Sequence, residues 1–289
     1  MHNRGPEFIV AGAPKAGTTA LINLLNESPD VDCITHLPNG QEPHFFSKGY
    51  HIGLQYYQTL FEKLDSNKVI GEKSVSYMTD KNAALRIHNH FPGVKLLFVL
   101  RNPIDRAYSQ YKANVQRGTE YLSFKKAIRH EKLRTKVFKN NYSYLERGYY
   151  ARMLENYYNL FPKHQIHITI YEKFAVDPEG CIKEICTFLG VDDSFIRNLD
   201  FNKKYNESIR PKFKFPQFFV MLYRKYSPLS LRKGFFNKAI SKIESSNKIN
   251  KPFPKIDLRV RQELMKMYNT PNEQLQKMTG ADLSLWKLE

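Results

Sequence analysis

The chain has 289 residues, of which 42% are hydrophobic, and its formal net charge is +17. This length and apolar content suffice for one substantial α/β domain, so we predict a single domain over residues 1–289. The absence of any run of about 18 apolar residues excludes a membrane-spanning helix. The positive charge favours anionic partners, namely a phosphorylated cofactor, an acidic polymer or a membrane surface, without choosing among them.

The three cysteines, Cys33, Cys181 and Cys186, show no metal-ligand spacing. Cys181 and Cys186 lie among apolar residues, which predicts buried thiols on one helix face. The N-terminus lacks the apolar segment of a secretory signal. We therefore expect a cytoplasmic protein in a reducing compartment, with no metal site.

The stretch from Phe8 to Leu21 has the pattern of a buried strand, a glycine-bearing turn and the first turn of a helix. Gly12 and Gly17 allow the backbone to bend sharply, so that backbone N–H groups converge on an anion at the helix N-terminus. Thr18 and Thr19 add hydroxyl donors. The pattern predicts a phosphate-binding loop, and the alternative is a tight turn that binds no ligand.

The spacing of the two glycines is close to that of a Walker A loop, but Thr18 stands where that motif requires lysine. The lysine lies inside the loop instead, at Lys15. From there it can point at the junction between a phosphate and the group being transferred. This departure argues against a kinase that uses magnesium and ATP, which we keep as an alternative.

Glu42 and His44 lie two residues apart in a loop rich in turn formers, beside Phe45 and Phe46. A carboxylate and an imidazole so close together suit general base chemistry on a hydroxyl nucleophile. The alternative is an ordinary polar loop with a buried phenylalanine pair.

Lys73 ends a short strand that begins near Lys68. Because open α/β sheets bind ligands at the carboxyl ends of their strands, this lysine is placed to meet an anionic group. The alternative is a solvated lysine at the sheet edge.

The strongest strand in the sequence runs from Val94 to Leu100 and is expected to be buried on both faces. Arg101 follows its end, and Ser109 lies about two turns into the next helix. If the helix packs along the strand tip, Arg101 and Ser109 contact one phosphate, the arginine through forked charge-assisted bonds.

Residues 101–111 resemble the 3′-phosphate segment of the sulfotransferases that use 3′-phosphoadenosine 5′-phosphosulfate (PAPS), and the phosphate loop resembles their 5′-phosphosulfate loop. Together with residues 42–46 and 72–74, the order and spacing are similar to the heparan sulfate sulfotransferases and their bacterial relatives. Two separated motifs in the correct order are much harder to meet by chance than either alone. The resemblance covers about residues 7–200 well and 250–289 loosely.

The resemblance implies a three-layer α/β sandwich around a mainly parallel sheet with a P-loop-like phosphate site, a fold that the alternating strands and helices support independently. It implies sulfuryl transfer from PAPS to a hydroxyl, less readily an amine, with 3′-phosphoadenosine 5′-phosphate (PAP) as product and no metal. Glu42, assisted by His44, would accept the acceptor proton, while Lys15 and Lys73 would balance charge. The cofactor-binding residues it implies are Lys15, Ala16, Gly17, Thr18, Thr19, Ala20, Arg101, Ser109, Asn250 and Lys251.

The rest of the pattern predicts further elements, and residues 118–141 are charged and weakly patterned. A strand is predicted over residues 165–171. Helices are predicted over residues 80–91, 103–117, 147–161, 177–190 and 258–268.

Residues 203–255 carry 14 Lys and Arg against two acidic residues, a local charge of +12, with aromatic residues interleaved from Phe213 to Phe236. This composition suits an anionic polysaccharide, a nucleic acid or an acidic lipid surface. The alternative is a helical lid whose aromatic rings pack inward and whose lysines are solvated. The segment is variable among sulfotransferases, so it does not identify the acceptor.

We expect the acceptor to be a small molecule or a carbohydrate. The alternatives are O-sulfation of an anionic polysaccharide and, from another class, a non-catalytic polyanion binder. A nucleic acid partner is not expected.

Overall fold

Five parallel strands form the central sheet of the computed structural model, which describes residues 5–138, 142–201, 210–227, 235–249 and 251–287. The strands are β1 (Phe8–Gly12), β2 (Val31–Ile34), β3 (Val69–Lys73), β4 (Lys95–Leu100) and β5 (Ile166–Ile170). Their order across the sheet is β2-β3-β1-β4-β5. The carboxyl ends of β3 and β4 therefore flank the carboxyl end of β1. The predicted α/β fold with a parallel sheet is confirmed.

Twelve α-helices lie within the described residues. They are α1 (Thr18–Leu25), α2 (Leu54–Thr59), α3 (Ala83–His90), α4 (Pro103–Gln116), α5 (Phe124–Arg129), α6 (Glu131–Phe138), α7 (Tyr150–Tyr158), α8 (Tyr171–Val176), α9 (Pro178–Leu189), α10 (Lys214–Tyr226), α11 (Phe235–Ser246) and α12 (Leu258–Thr279). Two short strands, β6 (Arg210–Pro211) and β7 (Lys248–Ile249), pair antiparallel. Among the residues described, no helix is both long and apolar enough to cross a membrane.

The chain divides into two compact units. The first comprises the described parts of Met1–Asn102, Tyr149–Tyr205 and Tyr268–Glu289, and it holds the central sheet. The second comprises the described parts of Pro103–Gly148 and Asn206–Met267. The single domain over 1–289 stays a prediction.

The segments with the strongest apolar patterns in the sequence form the core of the first unit. β1 is buried along its whole length, and β4 is buried from Leu96 to Leu100, because neighbouring strands and helices cover both faces of each strand. α9 begins where predicted, since the side chain of Asp177 accepts a hydrogen bond of 2.9 Å from the Gly180 N–H. The three cysteines are free and buried, which confirms the predicted burial of Cys181 and Cys186.

Residues 118–141 contain two helices, α5 and α6, that the weak apolar pattern did not predict. A buried ion pair holds this region, with Arg134 Nη1 lying 2.7 Å from Glu120 Oε2. The Tyr144 hydroxyl donates to the same carboxylate oxygen at 2.7 Å. Because charged residues take core positions here, hydrophobic periodicity gives little sign of the helices.

The prediction that the last helix ends at residue 268 is wrong. α12 continues past Pro271 to Thr279. Tyr268 and Leu275, one before and one after this proline, are both about 1% exposed. Their burial outweighs the local tendency of a proline to end a helix.

Candidate active site

The loop after β1 has the geometry of an anion cradle. Lys15 and Gly17 adopt positive φ angles of 70° and 92°, and Gly17 caps α1 without any side-chain hydrogen bond to the cap. The Ala13 N–H donates to the Val99 carbonyl at 2.8 Å, which fixes the loop to β4. Since the first N–H groups of a helix have no partner within it, the start of α1 can receive an anion.

Tyr171, which follows β5, lies against both the cradle and Arg101. A Cβ atom added to Gly17 would lie 2.7 Å from its ring, so only glycine fits at this place. The guanidinium carbon of Arg101 lies 4.3 Å from the centre of the same ring. Arg101 Nε is buried and has no hydrogen-bond partner in the part of the chain that the structure describes. The Tyr171 ring therefore places the half-buried Arg101 beside the loop after β1.

Glu42 and Lys73 form an ion pair at the carboxyl end of β3. Lys73 Nζ lies 2.5 Å from Glu42 Oε1, and the Val75 N–H donates to Glu42 Oε2 at 2.9 Å. Lys73 is only 1% exposed, and it pairs in register with Val10 of β1. The Ser74 N–H also donates to the Val10 carbonyl at 3.1 Å. This ion pair therefore lies next to the strand that leads into the cradle.

His44 lies beside this ion pair in a left-handed conformation with φ of 51°. Its Nδ1 is 3.8 Å from Glu42 Oε2 and 2.8 Å from the Ser76 hydroxyl. Burial lowers the pKa of His44, although the carboxylate of Glu42 opposes this effect. The neutral imidazole is therefore favoured at neutral pH, and it can exchange protons with a hydroxyl group.

Glu72, which the sequence did not single out as a site residue of its own, lies fully buried directly before Lys73. The hydroxyls of Tyr57 and Tyr77 each donate to its Oε1 at 2.7 Å, and the Ser74 hydroxyl donates to its Oε2 at 3.0 Å. Burial raises the pKa of Glu72 to about 7, although these three hydrogen bonds oppose the rise. The Ser74 hydroxyl in turn accepts the backbone N–H of His44 at 2.8 Å, so Glu72 supports the loop that carries Glu42 and His44.

The first unit thus brings together Glu42, His44 and Lys73. It also places Arg101 and the loop after β1 at the carboxyl end of the same sheet. Within this loop the N–H groups of Ala16 and Ala20 donate to the carbonyls of Ala13 and Gly17. The phosphate-binding roles of residues 15–20 stay predictions.

The other predicted cofactor residues belong to the second unit or lie outside the described residues. Ser109 is a half-buried residue of α4, and Lys251 is exposed. Asn250 lies outside the described residues. The joint contact of Arg101 and Ser109 with one phosphate stays a prediction.

Sequence reasoning missed Tyr171, Glu172 and the tyrosine partners of Glu72. Glu172 accepts hydrogen bonds from the Asn102 N–H at 3.0 Å and from the Trp286 indole at 2.7 Å. A signal for Tyr171 and Glu172 was present, because both directly follow the carboxyl end of a parallel strand. No local signal marks Tyr57, which reaches Glu72 from α2.

A model of the sulfotransferase domain family matches residues 5–234. The chain belongs to the sulfotransferase family. The matched range includes the cradle, the Glu42 loop and the Arg101 segment.

Curated relatives include two mouse enzymes. Heparan sulfate glucosamine 3-O-sulfotransferase 3B1 of Mus musculus is 31% identical over 186 residues, which cover 64% of this chain and 46% of the relative. Heparan sulfate glucosamine 3-O-sulfotransferase 6 of Mus musculus is 29% identical over 291 residues, covering 97% of this chain and 74% of the relative. The chain thus spans about half the length of the first of these relatives.

The crystal structure of a sulfotransferase from Alicyclobacillus acidocaldarius has the same fold. It superposes with a TM-score of 0.72 at 24% identity, over 99% of this chain and 100% of that chain. This similarity supports the arrangement of strands and helices described above.

Among the described residues, no group of three or more His, Cys, Asp or Glu side chains is arranged to hold a metal ion. The metal-free reaction implied by the resemblance stays a prediction.

Proposed function

We propose that this protein transfers a sulfuryl group from PAPS to a hydroxyl group of a carbohydrate or small-molecule acceptor. The observation that carries this proposal is the ion pair between Glu42 and Lys73, whose charged atoms are 2.5 Å apart. His44 lies beside this pair, and the pair lies at the carboxyl end of the sheet, as the cradle does. Membership of the sulfotransferase family favours sulfuryl transfer over the kinase alternative.

The residues present fit PAPS. The buried Nε of Arg101 has no hydrogen-bond partner within the described part of the chain, as expected for an arginine that meets a phosphate. Gly17 caps α1 without any side-chain hydrogen bond to the cap, so the N–H groups at the start of α1 are the candidate donors to a second phosphate. When bound, PAPS supplies an activated sulfuryl group linked to its 5′-phosphate.

The cradle residues would bind and orient the 5′-phosphate end of the cofactor. The N–H groups at the start of α1 and the hydroxyls of Thr18 and Thr19 are the donors for this phosphate. Lys15 would balance the charge that develops on the phosphate oxygen, without forming a bond to it. Arg101 of the first unit and Ser109 of the second would each contribute to binding the 3′-phosphate.

Glu42 would accept the proton of the acceptor hydroxyl. Each of its carboxylate oxygens already accepts one hydrogen bond, from Lys73 or from Val75, and each keeps a lone pair for a further donor. The neutral imidazole of His44 would pass or share this proton. Lys73 would balance the negative charge of the sulfuryl group while that group is transferred.

A saccharide is the acceptor class that the comparisons favour. The curated relatives are named for 3-O-sulfation of glucosamine in heparan sulfate. The large basic excess of residues 203–255 also suits an acceptor that is already anionic, so O-sulfation of an anionic polysaccharide is the second candidate.

Transfer of radiolabelled sulfate from PAPS tests this function directly. The panel of acceptors contains neutral hexoses, amino sugars, heparan sulfate fragments and small phenols, each paired with its deoxy analogue at the expected hydroxyl. We expect label on a hydroxyl-bearing acceptor, and the same acceptor without that hydroxyl should stay unlabelled. Label on N-unsubstituted amines alone would contradict O-sulfation, and no transfer to any acceptor with PAPS bound would contradict the proposal.

A further inference from the structure

Helix α10 in the second unit exposes two phenylalanines while two of its polar side chains point inward. Lys214 Nζ donates to the Leu122 carbonyl at 2.7 Å, and the Gln217 amide donates to the Gln116 carbonyl at 2.7 Å. Phe215 is 72% exposed and Phe219 is 50% exposed. Surface helices normally turn such residues towards the core.

The exposed apolar residues extend beyond α10 over the rest of this helical pair. Phe213 precedes α10, and Ile243 lies on α11, which packs against α10. The large apolar side chains exposed in this segment are Phe213, Phe215, Phe219, Tyr226, Phe236 and Ile243, which we call the aromatic surface. Phe215 and Phe219 adjoin, with ring centres 4.9 Å apart, and adjoining exposed apolar side chains are typical of an interaction site.

The base of this helical pair is well fixed, so the exposure belongs to an ordered structure. Asn247 accepts the Phe213 N–H at 2.8 Å and donates to the Phe213 carbonyl at 2.8 Å. Val220, on the inner face of α10, is 1% exposed. α10 is therefore anchored along one face and presents its phenylalanines on the other.

The segment that carries the aromatic surface is strongly basic. Lys212, Arg224, Lys238, Lys242 and Lys248 are all exposed, and Glu244 is the one acidic residue in this segment of the sequence, from residue 210 to residue 249. The Lys212 ammonium lies 5.5 Å from the centre of the Phe213 ring. Basic side chains beside protruding apolar rings are the composition of a segment that lies in the interface of an anionic membrane.

We propose that the aromatic surface docks on a membrane that contains anionic phospholipids. Phenyl rings have no hydrogen-bonding group, and the acyl boundary of a membrane removes their apolar area from water. A second copy of the chain would bring the same positive charge to the interface, and like charges repel.

The other polyanions fit this surface less well. A single-stranded nucleic acid binds in a charged groove that tracks its backbone, but these rings lie on a helix face and Phe215 and Phe219 pack on each other, 4.9 Å apart. α10 has 13 residues, too few to cross a bilayer, so the docking is peripheral. This proposal does not depend on the proposed sulfotransferase activity.

Vesicle flotation with the full chain tests the proposal. One set of vesicles is pure phosphatidylcholine and the other contains about a third phosphatidylserine. The variant Phe215→Ser/Phe219→Ser is compared with Leu133→Ser/Val137→Ser, a matched control from α6 of the same unit. Leu133 and Val137 are 65% and 64% exposed and have the same spacing of four residues, but they lie outside the aromatic surface.

We expect the wild type and the α6 control to bind the anionic vesicles at least about tenfold more tightly than the neutral ones. The Phe215/Phe219 variant should lose at least about tenfold in binding, and Lys238→Gln/Lys242→Gln should lose binding to anionic vesicles only. Failure of the wild type to bind, or equal losses in both double serine variants, would overturn the proposal. The proposal would also be overturned if the Phe215/Phe219 variant lost affinity for heparin while its vesicle binding stayed unchanged. The same holds if the wild type is a dimer and the Phe215/Phe219 variant is a monomer.

Discussion

Lys73 Nζ lies 2.5 Å from Glu42 Oε1, so a lysine that is almost fully buried is held by the carboxylate we assign as the base. The carboxylate partner offsets part of the cost of removing the lysine ammonium from water. The ion pair therefore fixes the side chains of Glu42 and Lys73 at the carboxyl end of β3. Substitution of one of these residues tests the function of that residue.

Glu42→Gln should lose turnover but keep cofactor binding. The amide oxygen still accepts from Lys73, but it cannot take a proton from the acceptor, so we expect kcat to fall by at least about 100-fold. The affinity for PAP should change by less than about threefold, because the proposed role of Glu42 is to accept the proton of the acceptor hydroxyl and not to bind the nucleotide. Isothermal titration and steady-state kinetics measure the two quantities. Glu27→Gln, an exposed carboxylate, is the control, and full activity in Glu42→Gln would remove Glu42 from the mechanism.

Arg101→Ala should weaken PAP much more than AMP. The substitution removes the charged partner of the 3′-phosphate, which costs at least about 2 kcal/mol, or roughly 30-fold in affinity. AMP has no 3′-phosphate, so its affinity should be nearly unchanged. Calorimetric titration of both nucleotides gives the comparison. An equal loss for both would show that Arg101 acts through the Tyr171 ring on the whole loop.

Gly17→Ala should damage the cradle through a steric clash as well as through backbone strain. The new Cβ would lie 2.7 Å from the Tyr171 ring, and φ is 92° at this position. Gly190→Ala is the matched control, since Gly190 has the same left-handed conformation, with φ of 81°, but nothing within 4 Å of an added Cβ. We expect both variants to lose about 1 kcal/mol of unfolding free energy to strain.

Only Gly17→Ala should lose PAP affinity, by at least about tenfold, since the clash displaces the loop that binds the cofactor. Denaturant unfolding and PAP titration of the two variants separate the effects. Equal PAP affinity in both variants would mean that the loop does not bind the cofactor.

Glu72→Gln should change how stability depends on pH. The pKa of Glu72 is about 7 in the folded protein and near 4.5 in the unfolded chain, so the folded state binds the proton more tightly. Between these values stability falls as pH rises, by roughly 3 kcal/mol in total. The variant lacks this proton, so the wild-type minus variant difference in unfolding free energy should shrink from pH 5 to pH 8. Urea denaturation at four pH values measures it, and a constant difference would show that Glu72 keeps an ordinary pKa.

The sequence predicted the elements and site residues whose signals are local. β1, α1 and β4 follow from unbroken apolar runs and from glycine positions. Glu42 and His44 were singled out as a carboxylate and an imidazole two residues apart in a loop, and Lys73 as the end of a strand. The fold class rested on the alternation of these elements, which a parallel sheet requires.

The features that the sequence did not predict depend on contacts that no local pattern marks. Tyr57 and Tyr77 approach Glu72 from two other elements, and nothing near them in the chain marks that meeting. α5 and α6 are stabilised by the buried pair of Glu120 and Arg134, which hydrophobic periodicity does not detect. The inward polar face of α10 likewise became visible only with its hydrogen bonds.

Thermal unfolding with nucleotides tests the central claim, a cofactor site that recognises the 3′-phosphate of PAPS, most directly. PAP, AMP and ATP with magnesium are compared at matched concentrations. A ligand at 100 times its dissociation constant adds about 2.7 kcal/mol of stability, so PAP should raise the melting temperature clearly, AMP much less, and ATP with magnesium little. Equal stabilisation by ATP with magnesium, with no effect of the 3′-phosphate, would contradict the account.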